Sequence, residues 1–559
     1  MSQQLISIPI GAQLPLVTTW ADDDSSLYFA TSGSNSTETY EDSDVFEWKD
    51  VIQYGKSKPS DGSTIYHIVF NIKNQLVNTK INAVKVLPFK ISELLFSSSE
   101  QKLVFTSIKG VPREMEDFEI YCIDTRNTSS LSRLTTNKAF EENVKLSMDG
   151  KRVLFTLLGL GPTNNNSVIK QMTLHALDLT TGEIQRLAKD FNGSITEYCV
   201  RPNGGVYILG QWRTNVQIYT QQSANKYTVL HRAWQGTYES ISSSLNDVNN
   251  VMAFVFSSHS QPREVYIVDD VNQLETARVM TNENKLFTER KFPQTTTYQW
   301  TSYEDDRMIE GILHYPLGQN ESKNLPLLVL IHGGPYGASI NQFNIGGGLW
   351  APLAATEGWL VLEPNYRGST GYGDQFLDEI RYHPLTRPGR DILSGINRLI
   401  EDGIVDRNRV TIGGHSYGGF LTNWLITQTT QFNAALSGAG SIEQASLWGT
   451  MDLNLLIEYI WGGSPWNSSN AYIEESPIYQ FGKVRTPTLI VTAEDDIRVP
   501  VSQGYIMERA LRYLNVPVQL LIFPNEGHSI GNNPWHRKIK VREELKWLRQ
   551  YGHTAFVKT

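Results

Sequence analysis

The chain has 559 residues, 40% of them hydrophobic and 19% charged, which supplies apolar material for more than one core and excludes a disordered polymer. Its formal charge of −9 lacks the basic field that nucleic acid or an anionic membrane would need, so neither is expected as a partner. No run of about 18 apolar residues offers a membrane span, and the opening MSQQLISIPIGAQLPLVTTW has neither the cationic start nor the unbroken apolar core of a signal peptide.

Residues 1–289 read as short strands separated by turns. A turn rich in Ser, Asp, Asn and Gly followed by an aliphatic and aromatic strand recurs as DDDSSLYFAT (22–31), SSEQKLVFTS (98–107), SMDGKRVLFT (147–156), RPNGGVYILG (201–210) and NDVNNVMAFVF (246–256). A second strand type sets an aliphatic residue before tyrosine, at Ile65-Tyr66, Ile120-Tyr121, Ile218-Tyr219 and Val265-Tyr266. The step of roughly 45 to 55 residues is the period of propeller blades, each completing its core against its neighbours. Five to seven blades are expected, with 39–63 fitting poorly; a β-sandwich or a pair of small β domains is the competing architecture. The cysteines of this half, Cys122 and Cys199, are too few for a disulfide scaffold and form either one bridge or two buried thiols.

Residues 290–559 alternate strand and helix. LPLLVLI (325–331), WLVLEP (359–364), RVTIGG (409–414), TPTLIVTA (486–493) and VQLLIFP (518–524) have the continuous apolar character of buried parallel strands. DILSGINRLIEDG (391–403) and GYIMERALRYLNV (504–516) carry helical periodicity, the second stopped by Asn515 and Pro517. The alternation predicts an α/β-hydrolase type of doubly wound, mostly parallel sheet with its site at the carboxyl ends of the strands.

Gly414-His415-Ser416-Tyr417-Gly418 lies between the strand RVTI and the helix-like GFLTNWLITQ. A serine hydroxyl becomes a useful nucleophile when a sharp strand-to-helix turn raises it toward a base, and flanking glycines permit that turn. The partners should follow later strands in the order acid, then histidine. TLIVTAEDDIRVP offers Asp495 and Asp496, and LLIFPNEGHSIG offers His528, one nitrogen of which would take the serine proton while the other donates to the acid. Donors for a developing oxyanion are expected from the N–H of Gly334, in His332-Gly333-Gly334-Pro335, and from the N–H of Tyr417. His332 is read as orienting that loop. No metal site is recognised and no cofactor is expected.

HGGP (332–335), NYRGSTGYG (365–373), GHSYGG (414–419), DDIRVP (495–500) and EGHS (526–529) together resemble the prolyl oligopeptidase family of serine peptidases, in particular its acylaminoacyl-peptidase and dipeptidyl-peptidase V branch. The resemblance covers 290–559 closely and the first half only through its propeller pattern. It implies a β-propeller (1–289) before an α/β-hydrolase peptidase domain (290–559), and selects Asp496, which stands in the family's acid-x-x-Val-Pro frame. It also implies that Arg498 binds a substrate carbonyl, against the alternative of an ion pair with Glu494 or Asp495, and that Tyr417, Val499 and Trp448 line an apolar S1 pocket. The family's membrane-bound dipeptidyl peptidases hold a free amino terminus on a propeller Glu pair. Glu141-Glu142 is the Glu pair of this half and is read as a solvated turn. The first half is short for seven blades, which points to fewer blades or a truncated propeller.

The expected function is hydrolysis of short peptides through a Ser-His-Asp acyl-enzyme, of dipeptidyl or acylaminoacyl type. A carboxylesterase on the same triad and an inactive propeller-based interaction protein are the alternatives, and self-association into a homo-oligomer is left open.

Overall fold

The structure, a computed structural model, describes residues 15–21, 26–33, 62–73, 76–108, 119–136, 139–159, 170–244, 251–344 and 350–552. Its first part is a propeller of four-stranded antiparallel units, five of them among the described residues. They begin at the strands Pro15–Trp20, Lys90–Ser97, Ala139–Leu146, Ser194–Val200 and Thr237–Ser243. The fourth and fifth units share one sheet through a single parallel pairing, Val216 with Thr237. The poorly fitting stretch 39–63 lies outside the described residues up to residue 61.

The recurring turn-strand pattern is the second strand of each unit: Ser26–Gly33, Lys102–Ile108, Arg152–Gly159, Val206–Trp212 and Met252–Ser258. These strands are apolar on both faces because each face meets a different neighbour. Leu103 and Phe105 pack toward the first unit and Val104 toward the third. Likewise Val206 and Ile208 face the third unit, and Tyr207 and Leu209 the fifth. Sheets stacked face to face thus replace the usual polar outer face by a second core. The aliphatic-Tyr dipeptides fall on third strands, with Leu174-His175 in that place in the third unit. Cys122 and Cys199 are separate buried thiols, and burial pushes Cys199 up to about 11.

One sequence expectation needs correction here. Glu141-Glu142 is part of the strand Ala139–Leu146, not a turn, and Glu141 is only 2% exposed. Its neighbour Phe140 packs on Leu377 of the second domain, while Glu142 is exposed.

The second domain is built on an eight-stranded sheet of order β1-β2-β4-β3-β5-β6-β7-β8. Its strands are β1 (Thr295–Thr301), β2 (Met308–His314), β3 (Leu325–Ile331), β4 (Leu360–Asn365), β5 (Val405–His415), β6 (Phe432–Gly438), β7 (Thr488–Ala493) and β8 (Val518–Phe523). β1 and β2 pair antiparallel at one edge, β2 with β4 likewise, and β4 through β8 run parallel. Helices α1 (Ala351–Thr356), α2 (Thr386–Glu401), α3 (Tyr417–Gln428), α4 (Ser502–Tyr513) and α5 (Pro534–Tyr551) cover it. Alternate residues of one strand feed opposite layers: Leu327, Val329 and Ile331 join the core under α3, while Leu328 and Leu330 join the core under α1 and α5. A strand buried on both sides has no polar phase, which is why these runs read as continuous apolar sequence.

The two domains meet through polar groups. Gln171 N–H donates to Asp374 Oδ1 (2.8 Å), Gly371 N–H to Gln171 Oε1 (3.0 Å) and Arg213 N–H to Gly371 O (2.9 Å). Arg213 also pairs with Glu310 of β2 at 3.2 Å. Among the described residues no helix is long and apolar enough to cross a membrane.

Candidate active site

The turn from β5 into α3 carries Ser416 in a backbone conformation that L residues avoid, φ +59° and ψ −124°. The surroundings hold it there. Ser416 N–H donates to Gly438 O of β6 (2.9 Å), and Phe420 N–H closes the first helical turn on Ser416 O (3.0 Å). Gly418 is obligatory, since a Cβ there would lie 2.1 Å from the carbonyl oxygen of Ile331 in β3. Packing of this turn against the centre of the sheet therefore sets the position of Ser416.

Asp496 and His528 follow β7 and β8, and the fold brings both to Ser416. His528 Nε2 lies 2.8 Å from Ser416 Oγ, and His528 Nδ1 lies 2.8 Å from Asp496 Oδ2. The other oxygen, Asp496 Oδ1, accepts the backbone N–H groups of Arg498 and Val499, each at 2.9 Å. This local carboxylate-to-backbone turn holds Asp496 buried with one lone pair aimed at the imidazole, while Asp495 is exposed.

The HGGP loop follows β3 and passes directly over the serine: a Cβ on Gly333 would sit 3.3 Å from Ser416 Cβ. Gly334 has φ +137°, and a side chain there would meet the Tyr336 nitrogen at 2.5 Å. Tyr417 is the first residue of α3, so its N–H has no acceptor one turn back within the helix. Its buried ring reaches Pro384 O through the hydroxyl.

The loop is braced from behind by NYRGSTGYG. Tyr366 stacks on His332 with ring centroids 4.4 Å apart and donates its hydroxyl to His332 O (2.8 Å). Ser369 Oγ bonds His332 Nε2 at 3.0 Å, and Asn365 binds both backbone groups of Ser339. Burial pushes His332 down to about 4, so the imidazole is neutral and acts as a fixed wedge. Arg367, 1% exposed, anchors the motif through Asp391 (2.7 Å), Asp305 (2.7 Å) and Glu304 (3.2 Å).

The remaining expected pocket residues have definite partners. Arg498 pairs with Asp452 through Nε and Nη2 (Nη2–Oδ2 2.9 Å), not with Glu494 or Asp495. The reason is position: Asp452 N–H is bonded to Ile497 O, which sets its carboxylate beside the guanidinium. Val499 is buried in the hydrolase core. Trp448 donates Nε1–H to Glu458 (2.9 Å) and meets exposed Trp466 edge-on, centroids 5.2 Å apart.

Two further groups position the loop of His528; both lie in motifs quoted from the sequence, which gave neither a role of its own. His415 Nε2–H donates to His528 O (2.8 Å), and burial, with Lys540 and His528 nearby, pushes it down to about 3. Glu526 accepts the N–H groups of Asn532 (2.9 Å) and Asn533 (2.8 Å) and pairs with His536 (2.8 Å). Burial alone would raise this carboxyl, but those hydrogen bonds outweigh it and hold it below the usual carboxylate range. The signal for Glu526 and His415 was their place in the motifs EGHS and GHSYGG. Among the described residues no three His, Cys, Asp or Glu side chains converge to hold a metal.

Residues 350–554 match the prolyl oligopeptidase family. A probable dipeptidyl-peptidase 5 of Emericella nidulans is 32% identical over 258 residues, 44% of this chain and 34% of that protein. An acylamino-acid-releasing enzyme of Arabidopsis thaliana is 35% identical over 214 residues, 37% of this chain and 28% of that protein. The chain thus spans about a third of these relatives. The Pyrococcus horikoshii acylaminoacyl peptidase superposes over 98% of this chain and 83% of its own with a TM-score of 0.77 at 21% identity, a likeness of the whole two-domain fold. Over residues 350–554 the hydrolase domain thus matches the prolyl oligopeptidase family, and the propeller-plus-hydrolase architecture is alike in fold to that of the Pyrococcus acylaminoacyl peptidase.

Proposed function

We propose that this chain is a serine exopeptidase that cleaves short peptides by an acyl-enzyme mechanism, with Ser416, His528 and Asp496 as its catalytic residues. The observation that carries the reading is the His528 imidazole bridging Ser416 Oγ and Asp496 Oδ2 at 2.8 Å on each side. Ser416 Oγ attacks the scissile carbonyl while His528 Nε2 accepts its proton, and Asp496 holds the tautomer and stabilises the imidazolium. The oxyanion is met by the N–H groups of Gly334 and Tyr417. Collapse of the tetrahedral adduct breaks the C–N bond as His528 returns the proton to the leaving amine. Water then enters, loses a proton to His528, and releases the acid and Ser416.

Arg498 uses Nε and Nη2 on Asp452, so its Nη1 edge is the part that would bind a substrate carbonyl. Tyr417, Val499 and Trp448 are proposed around the S1 side chain, and the relatives' names support recognition of one peptide end. The test is a chromogenic panel of free dipeptidyl, N-acyl-aminoacyl, internally quenched and short-chain ester substrates, with the full chain and Ser416→Ala. Amide cleavage lost in the variant is the expected result, and the panel shows which end is read. Ester turnover without amide turnover would replace the peptidase by an esterase. No turnover and no fluorophosphonate labelling would remove the enzyme reading.

A further inference from the structure

Away from the triad, the contact between propeller and hydrolase encloses a cavity of about 40 Å³ whose lining includes His259, His314, Ser339, Gln342 and Glu363. His259 comes from the turn before the strand Gln261–Val268 of the fifth propeller unit, and His314 ends β2. Glu363 lies on β4, and Ser339 follows the HGGP loop. Three polar atoms here are buried without a protein partner: His259 Nε2, His314 Nδ1 and Ser339 Oγ. Buried polar atoms are almost always paired, so three around one void mark a place built for something absent from the protein itself. The void has room for one ion and a water.

Chemistry narrows what that is. His314, 1% exposed, lies with Nε2 2.6 Å from Glu363 Oε2. Nε2–H therefore donates to the carboxylate, and the Nδ1 lone pair is left bare, as in histidines that ligate metal against an outer-shell carboxylate. The two rings stand at 81° with centroids 5.1 Å apart. Two imidazoles on one tetrahedral zinc, with Zn–N near 2.1 Å, put each centroid ~3.2 Å from the metal and the centroids ~5.2 Å from each other. The walls are already held: Ser339 N–H donates to Asn365 Oδ1 (2.7 Å), and His259 N–H to Asn341 Oδ1 (3.1 Å).

We propose that His259 Nε2 and His314 Nδ1, with the Ser339 hydroxyl and solvent completing the coordination sphere, bind one divalent cation of the zinc class across the domain contact. Glu363 fixes the His314 tautomer. Because the histidines belong to different domains, the ion clamps propeller to hydrolase. With two protein nitrogens rather than three or four strong ligands, the site is exchangeable. The proposal does not depend on the peptidase reading.

The test is calorimetric titration of the chelator-treated full chain with zinc alone at neutral pH, paired with thermal unfolding and anomalous diffraction at the zinc edge. One equivalent should bind saturably and raise the melting temperature, with an anomalous peak between His259 and His314. His259→Ala and His314→Ala should each weaken this site at least ~10²-fold, and Glu363→Gln by about 10–100-fold, the usual effect of losing an outer-shell partner. His259→Ala, in a turn, covers the case in which His314→Ala does not fold. His528→Ala should bind zinc as the parent does, which separates this site from the catalytic imidazole. Binding unchanged in His259→Ala, no saturable binding, or ordered water only between the two rings would overturn the proposal.

Discussion

The propeller and the hydrolase domain bury comparable residues in different ways. In the propeller, apolar side chains are divided among clusters that each join two neighbouring units: first to second, second to third, third to fourth and fourth to fifth. In the hydrolase, one cluster runs along nearly the whole of one sheet face and a second along the other. The propeller's stability is therefore a sum of local interfaces, whereas a perturbation anywhere in the hydrolase sheet is felt at its centre, where β5 leads into Ser416. The strained turn at Ser416 needs such over-determined surroundings. The propeller needs only to present one side to the hydrolase, and it does so through hydrogen-bonded side-chain and backbone amides with local apolar contacts such as Phe140 on Leu377.

The largest effects should come from the turn itself. Ser416→Ala is expected to lower kcat for an amide substrate by about 10⁶-fold and Asp496→Asn by about 10⁴-fold, both with the fold intact by circular dichroism. Equal rates in either variant would mean that the assembled geometry is not the working one.

The next test sets the two domains side by side. Phe155→Ala, in the cluster between the second and third propeller units, should cost about 3–5 kcal/mol. Below its lowered melting transition, labelling of Ser416 by a fluorophosphonate should be unchanged. Arg367→Met should cost a similar ~3–5 kcal/mol, because it leaves Asp391 buried and uncompensated. Here labelling should fall, since the HGGP brace is lost with it. Equal labelling in the two variants would erase the contrast between a modular propeller and a coupled hydrolase.

A smaller effect is expected from His415→Ala, which frees the His528 carbonyl. A misplacement of His528 should lower kcat by up to ~10²-fold with little change in KM. His415 is neutral across the working range, with its proton equilibrium pushed down to about 3, so the acid limb of the pH–rate profile should keep its midpoint. A displaced limb would assign His415 a protonic role instead. Smallest of all, Arg213→Ala at the domain contact removes a half-exposed partner of Glu310 and should change stability by less than about 1 kcal/mol, read by denaturant midpoint.

Legibility followed the range of the interactions. LPLLVLI was readable to the residue, because a strand buried on both faces has no polar interruption. β6, FNAALSG, was not, since its small residues resemble a loop until Gly419 and Gly438 are seen to let α3 approach it. The antiparallel edge β1, TTTYQWT, and helix α5, PWHRKIKVREELKWLRQY, were likewise unread, being polar over much of their length. Asp496 was separable from Asp495 only through the family frame, and its physical reason is the pair of N–H groups two and three residues on.

By itself the sequence determined the two-part plan, the repeat of the propeller units, and the order of a serine turn, an acidic loop and a histidine loop after successive strands, because each rests on local periodicity or on a turn whose chemistry is written within a few residues. Tertiary structure alone decided which groups meet across long separations: Arg498 with Asp452, Tyr366 with His332, His415 with the His528 carbonyl, and His259 with His314 across the domain contact. Those pairings depend on how sheets and domains stack, and no local pattern in the chain encodes them.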